Sequence, residues 1–196
     1  MGWFTKKQSL LTPDKCAEEL YDVVFWVLSY FKAAFIEENE EMDEDQLVQL
    51  VRDRNYEMLL LTLWVMHTYL PSTELRGKVI ERFCKALRDE SGDIGRRIPE
   101  DAFQEDLKDR RNAYTHAYDK LRFFPSEGVN EFGGMIAQVI QYGNHPLEPP
   151  ANITSEEARK WHFKARVAMN KWHNEIKRRH LVKTIEKYSD PDLSQL

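Results

Sequence analysis

Four residues in one eight-residue stretch, Arg111-Asn112-Ala113-Tyr114-Thr115-His116-Ala117-Tyr118, carry the side chains best suited to chemistry: Arg111, Asn112, His116 and Tyr118. A guanidinium is a permanent cation with forked donors, and an imidazole changes charge near neutral pH. Together they can hold an anion and move a proton. On a regular helix, at about 100° per residue, Arg111 and His116 project about 140° apart, so one chain does not readily bring both to one atom. His116 points away from the apolar stripe of its helix, the placement of an exposed or interface histidine. Arg110 and Arg111 fall at the edges of that stripe, where arginine stems lie along apolar surface or pair with carboxylates.

An arginine, then an asparagine, then a histidine five positions after the arginine and a tyrosine two beyond it: this pattern resembles the RxxxxHxY motif of toxin members of the HEPN-domain ribonucleases. The resemblance covers residues 111–118 of 196. It implies a helical bundle that cleaves RNA without a metal, in a cleft between the two protomers of a homodimer. There Arg111 would stabilise charge on the scissile phosphate and His116 would handle the proton. Asn112 would orient the site, and Tyr118 would be the motif tyrosine. The chain departs from the pattern at Thr115, where the family usually carries an apolar residue, and its basic C-terminal segment has no counterpart there.

Other chemistry is less well supplied. The sequence contains no Walker loop, GxSxG or HExxH. His162, His173 and His180 fall near one line of a helix but stand about 10–17 Å apart along it. A single zinc ion needs ligands about 2 Å from itself, so no metal site is expected. Glu37 to Asp45 holds seven carboxylates without the alternating ligands and central glycine of a calcium loop, and reads as a solvated connection. His67, within an apolar helix, reads as a hydrogen-bonded core histidine. No cofactor is expected.

The elements that must position these residues read as helices almost throughout. Thr12 caps and Pro13 begins the first, which is apolar nearly all round and so belongs at the centre of a bundle. Asp43 with Gln46 makes a capping box for a second helix, amphipathic at first and then almost wholly apolar from Met58 to Met66, which Pro71 ends. A third runs from Ser72 or Thr73 to about Ser91, and a fourth from Ile98-Pro99 to about Arg122. A shorter fifth, near Val129 to Tyr142, is weakened by Gly133 and Gly134 at about 1 kcal/mol each relative to alanine. The Pro-rich stretch 144–153 is a linker. A capping box at Thr154 and Glu157 then opens a long basic helix over 154–188. In it Trp161 and Trp172, eleven residues apart, share the apolar face with Ala165, Ala168 and Ile176.

Charge is divided unevenly along this chain. Residues 154–188 carry ten basic and four acidic side chains, a local charge of +6, against −5 for the whole protein. The basic helix therefore either folds back on an acidic body, near Glu37 to Asp45, or meets an anionic partner. The greasiest stretch, Leu20 to Ile36, is broken by Asp22, Ser29 and Lys32, too polar to span a membrane. Cys16 and Cys84 suggest neither a disulfide framework nor a zinc site, and with no secretory signal the expected compartment is the cytoplasm.

The reading is an all-α, single-domain bundle of five to six helices: a helical body (1–143), a linker (144–153) and a basic helix (154–188) packed on the body through its tryptophans. With no complete catalytic constellation in view, the leading expectation is a non-catalytic helical interaction protein with a protein partner. The alternative is a metal-independent HEPN-type endoribonuclease acting on RNA as a homodimer.

Overall fold

A computed structural model of the chain describes residues 10–70, 73–89, 99–146, 148 and 152–188. Among them there are seven α-helices and no strands: α1 (Pro13–Glu38), α2 (Glu44–Tyr69), α3 (Thr73–Asp89), α4 (Glu100–Phe123), α5 (Pro125–Ala137), α6 (Ser155–Arg178) and α7 (Val182–Lys187). The all-α reading is thus correct, but the count of five to six falls short. Three predicted caps form: Thr12 accepts from the Lys15 N–H, Asp43 from Asp45 and Gln46, and Thr154 from Glu157. Each satisfies donors that the first turn of a helix leaves open.

Two local departures occur, of which the first adds the seventh helix. The expected helix 154–188 ends at Arg178, because His180 takes a left-handed conformation with φ +58°. The Leu181 N–H then returns to the Ile176 carbonyl (3.0 Å) and the His180 N–H to Lys177 (3.0 Å). This is the Schellman closure, with the fully buried Leu181 as its apolar plug. Glycine usually marks such an end, whereas here a histidine, one of the few other residues that tolerate φ > 0, replaces it. The short α7 follows. Similarly, the fifth helix passes into a π-helical turn, Gln138–Tyr142, that stops at Gly143 with φ +66°. The Arg54 guanidinium lies against Gly143, so that a Cβ there would sit 1.9 Å from Nη1.

The core forms between α1, α2, α3, α4, α5 and α6. The apolar run of α2 from Met58 to Met66 is buried without interruption, and α1 contributes Leu20, Val23, Val24, Val27 and Phe31, all inaccessible. Trp161 and Trp172 of α6 are both 1% exposed, the core anchors expected of them. Gly133 lets α5 and α6 touch: a Cβ at that position would stand 1.8 Å from the Ala158 carbonyl oxygen.

The other face of α6 meets the acidic end of α1. Lys164 pairs with Glu37 (2.8 Å) and Glu38 (2.9 Å), and Lys160 also pairs with Glu38. At the far end Arg179 reaches Glu19 (2.7 Å) and Asp22 (3.4 Å). Midway, the Lys171 ammonium sits over the rings of Tyr30 (4.6 Å) and Trp26 (5.0 Å), a cation–π arrangement. Part of the basic charge of this segment is therefore matched on α1, by Glu37 and Glu38 at the start of the acidic run and by Glu19 and Asp22 at the other end. Among the described residues no helix is long and apolar enough to cross a membrane. Cys16 and Cys84 are buried thiols that form no disulfide.

Candidate functional site

Helix α4 carries the stretch 111–118, and its register on α2 is fixed by polar contacts. Tyr56 donates to Asp106 (2.8 Å), and the Trp64 indole N–H donates to the Thr115 hydroxyl (3.1 Å). The second bond explains why a polar residue stands at 115, since threonine supplies the acceptor that a buried indole requires. Tyr114 and Ala117 face the core. Tyr118 packs edge-on against Trp64 (5.6 Å) and Phe132 (5.4 Å), so its ring is a packing element whatever its hydroxyl does.

The two neighbouring arginines have different surroundings. Arg110 is buried and clamped on Glu57, with Nε at 3.0 Å and Nη2 at 2.7 Å from its two oxygens, and it donates from Nη1 to His145 Nε2 (2.7 Å). Burial opposes its charge, but the hydrogen bonds and charge of Glu57 outweigh that and raise its pKa. Arg111 is half-buried and has no ion pair among the described residues. Its charge acts instead on Arg76 of α3 and His67 of α2.

His67 is half-buried, and its Nδ1 lies 3.4 Å from Arg76 Nη1. Arginine can only donate, so Nδ1 accepts and the neutral ring carries its proton on Nε2. That Nε2 is buried with no hydrogen-bond partner in the protein. The expectation of a hydrogen-bonded core histidine thus holds at one ring nitrogen only. Burial, then Arg76, then Arg111 push the His67 pKa down to about 3. A base with a folded pKa below its unfolded value near 6.5 favours folding above that value, and the contribution is lost as pH falls below it. Between pH 6.5 and 5, wild type is expected to lose up to about 1.4 kcal/mol more stability per pH unit than His67→Gln. Urea denaturation of both proteins across that window measures the difference, and parallel curves would contradict it.

Asn112 and His116 are exposed. The four motif residues thus differ in setting: Arg111 is half-buried, Tyr118 packs on the core, and Asn112 and His116 are exposed. Of the other histidines, His162 stands edge-on to Phe132 (6.2 Å) and His173 lies beside Tyr69 (5.9 Å). Among the described residues no three His, Cys, Asp or Glu side chains are placed to hold a metal ion. Arg76 is the residue that the sequence reading missed. Its signal was topological: α3 begins only four residues after α2 ends, which brings Arg76 within reach of His67.

A second surface feature lies at the α4–α5 corner. Phe123 is 75% and Phe124 60% exposed. The corner is tightly built: Gly128 approaches so closely that a Cβ would lie 2.6 Å from the Leu121 nitrogen. Lys120 bridges it to both oxygens of Glu131 (2.8 and 2.6 Å).

Comparison with protein-family models, curated proteins and solved structures found no match to this chain.

Proposed function

We propose that this chain is a cytoplasmic, single-domain, non-catalytic helical interaction protein, and that its partner is a protein gripped at the α4–α5 corner. One observation carries this reading: two adjacent phenylalanines, mostly exposed, project from a corner closed by the near approach of Gly128 to Leu121 and by the Lys120–Glu131 pair. Rigid aromatic anchors lose little conformational entropy on binding and dominate interface energies, whereas scattered apolar side chains do not. An apolar recess in the partner is the complementary shape. A photo-crosslinking phenylalanine analogue at position 123 is expected to give one discrete adduct in cells. The same probe at the exposed Glu105 is expected to give none. Absence of an adduct from 123, or the same adduct from both positions, would contradict the reading.

A second reading is favoured by a different observation: Arg111 lacks the carboxylate that locks its neighbour Arg110. An uncommitted arginine and an exposed histidine are what a metal-independent, HEPN-type endoribonuclease needs. In that case two protomers of a homodimer would supply the cleft, because His116 and Arg111 leave their helix in different directions. Arg111 would then stabilise phosphate charge, His116 would transfer the proton, Asn112 would orient the site and Tyr118 would keep the motif position.

A further inference from the structure

Helix α6 carries basic charge on two sides, and α1 answers only one of them. Between Glu157 and Glu175 the sequence holds no acidic residue. Toward α1, Lys160 and Lys164 pair with Glu37 and Glu38, and Lys171 lies over Tyr30 and Trp26. Toward solvent, Arg159, Phe163, Arg166, Asn170, His173 and Lys177 fall within about 40° of one line along the helix. All six are exposed, Phe163 to 66%. Arg159, Arg166 and Lys177 form no ion pair among the described residues. The exposed residues of other helices mix signs, as with Asp45, Arg52 and Asp53 on α2 or Asp101, Glu105, Lys108 and Asp109 on α4. The outward line of α6 is basic with no acid in it.

We infer that this line is a docking surface for single-stranded RNA. Arg159 and Arg166 stand four residues before and three after Phe163, so both are its neighbours on the helix surface. The ring thus has a guanidinium on either side of it along the axis. Guanidinium groups take phosphates, and an exposed ring stacks an unpaired base. Trp161 and Trp172 are buried in the core, which leaves Phe163 as the ring available. A duplex hides the faces of its bases, so the fit is to a single strand. The three unpaired cations span about 27 Å of helix axis, a distance that suits a chain of phosphates and not one small anion. Asn170 and His173, between Arg166 and Lys177, offer the donor and acceptor groups that a ribose 2′-hydroxyl can meet. An anionic membrane matches less well: Phe163 is the one exposed large apolar side chain of α6, whereas a helix lying in a membrane surface needs a broad apolar face. The inference is independent of both readings above, because binding requires neither a protein partner nor cleavage.

The full chain is titrated into a labelled oligouridylate of about twelve nucleotides, within the site sizes of single-strand binders, and anisotropy is read at several salt concentrations. Saturable binding is expected. The slope of log affinity on log salt should lie near about −2, from about −0.7 for each of three phosphates. Arg166→Gln is expected to weaken binding and to flatten that slope by about 0.7. Phe163→Ala is expected to weaken binding about fivefold or more with the slope unchanged, because stacking releases no counterion. Lys108→Gln, which removes an exposed cation of α4, is expected to change neither. All three replaced side chains are exposed, so the core stays intact. The deoxyribose oligomer of the same length should bind several-fold more weakly, and phosphatidylserine vesicles more weakly still. Four results would each overturn the inference: no saturable binding, the same loss in Lys108→Gln as in Arg166→Gln, unchanged affinity in Phe163→Ala, or equal binding of the deoxyribose oligomer. Tighter binding to the vesicles than to RNA would also overturn it and name a membrane as the partner.

Discussion

Replacing Arg110 by alanine lowers the free energy of unfolding by about 3–5 kcal/mol, the cost of stranding one charge of a buried pair. The side chains of Arg110 and Glu57 are only 9% and 16% exposed, and both carboxylate oxygens accept from the one guanidinium. Without Arg110 the Glu57 carboxylate stays where water reaches it poorly, and His145 loses the donor at its Nε2. The double replacement Arg110→Met with Glu57→Leu removes both charges and should be much closer to wild type, since apolar isosteres often match a buried pair. A double-mutant cycle in urea makes the comparison. If Arg110→Ala cost less than about 1 kcal/mol, the pair would behave as an exposed one, contrary to its burial.

The second large effect separates two adjacent glycines. Gly133→Ala is expected to destabilise by about 3 kcal/mol, the upper end of overpacking costs. The new Cβ would stand 1.8 Å from the Ala158 oxygen and 2.6 Å from its carbonyl carbon, so α5 and α6 must separate. Gly134→Ala meets nothing within 4 Å and is expected to stabilise by up to about 1 kcal/mol, the ordinary helix preference of alanine. In a chain of this size these correspond to melting shifts of about 6–12 °C downward and about 2–4 °C upward. Shifts of equal sign would show that helix contact does not set the Gly133 requirement.

These glycines also show what a sequence can and cannot convey. Helix propensity treats Gly133 and Gly134 alike, because propensity describes a helix alone. Only the partner helix distinguishes them. The caps at Thr12, Asp43 and Thr154 were legible because each bond closes within three residues. The inward faces of α1 and α6 were legible from helical periodicity, and the burial of α2 from its nearly unbroken apolar run. The end of α6 was not, because its left-handed position is filled by His180 rather than glycine. The π-turn after Ala137 likewise has no composition of its own.

In the candidate site the same division holds. Positions on α4 could be read from helical geometry: Arg111 and His116 point apart, and Arg110 lies at the core edge. Which arginine meets a carboxylate could not be read, since Glu57 lies 53 positions away in sequence and its pairing depends on how α2 crosses α4. Arg76 carried no periodic signal at all. Its place beside His67 depends on how α3 lies against α2, and that no carboxylate pairs with it among the described residues is visible only once the neighbouring helices are placed.

The measurement that most directly tests the non-catalytic reading is RNA cleavage by the purified full chain in excess EDTA, beside His116→Ala prepared identically. No cleavage above background by either protein is the expected result, and both should give the same crosslink from position 123. Cleavage by the wild type that His116→Ala abolishes would contradict it and establish a metal-independent nuclease.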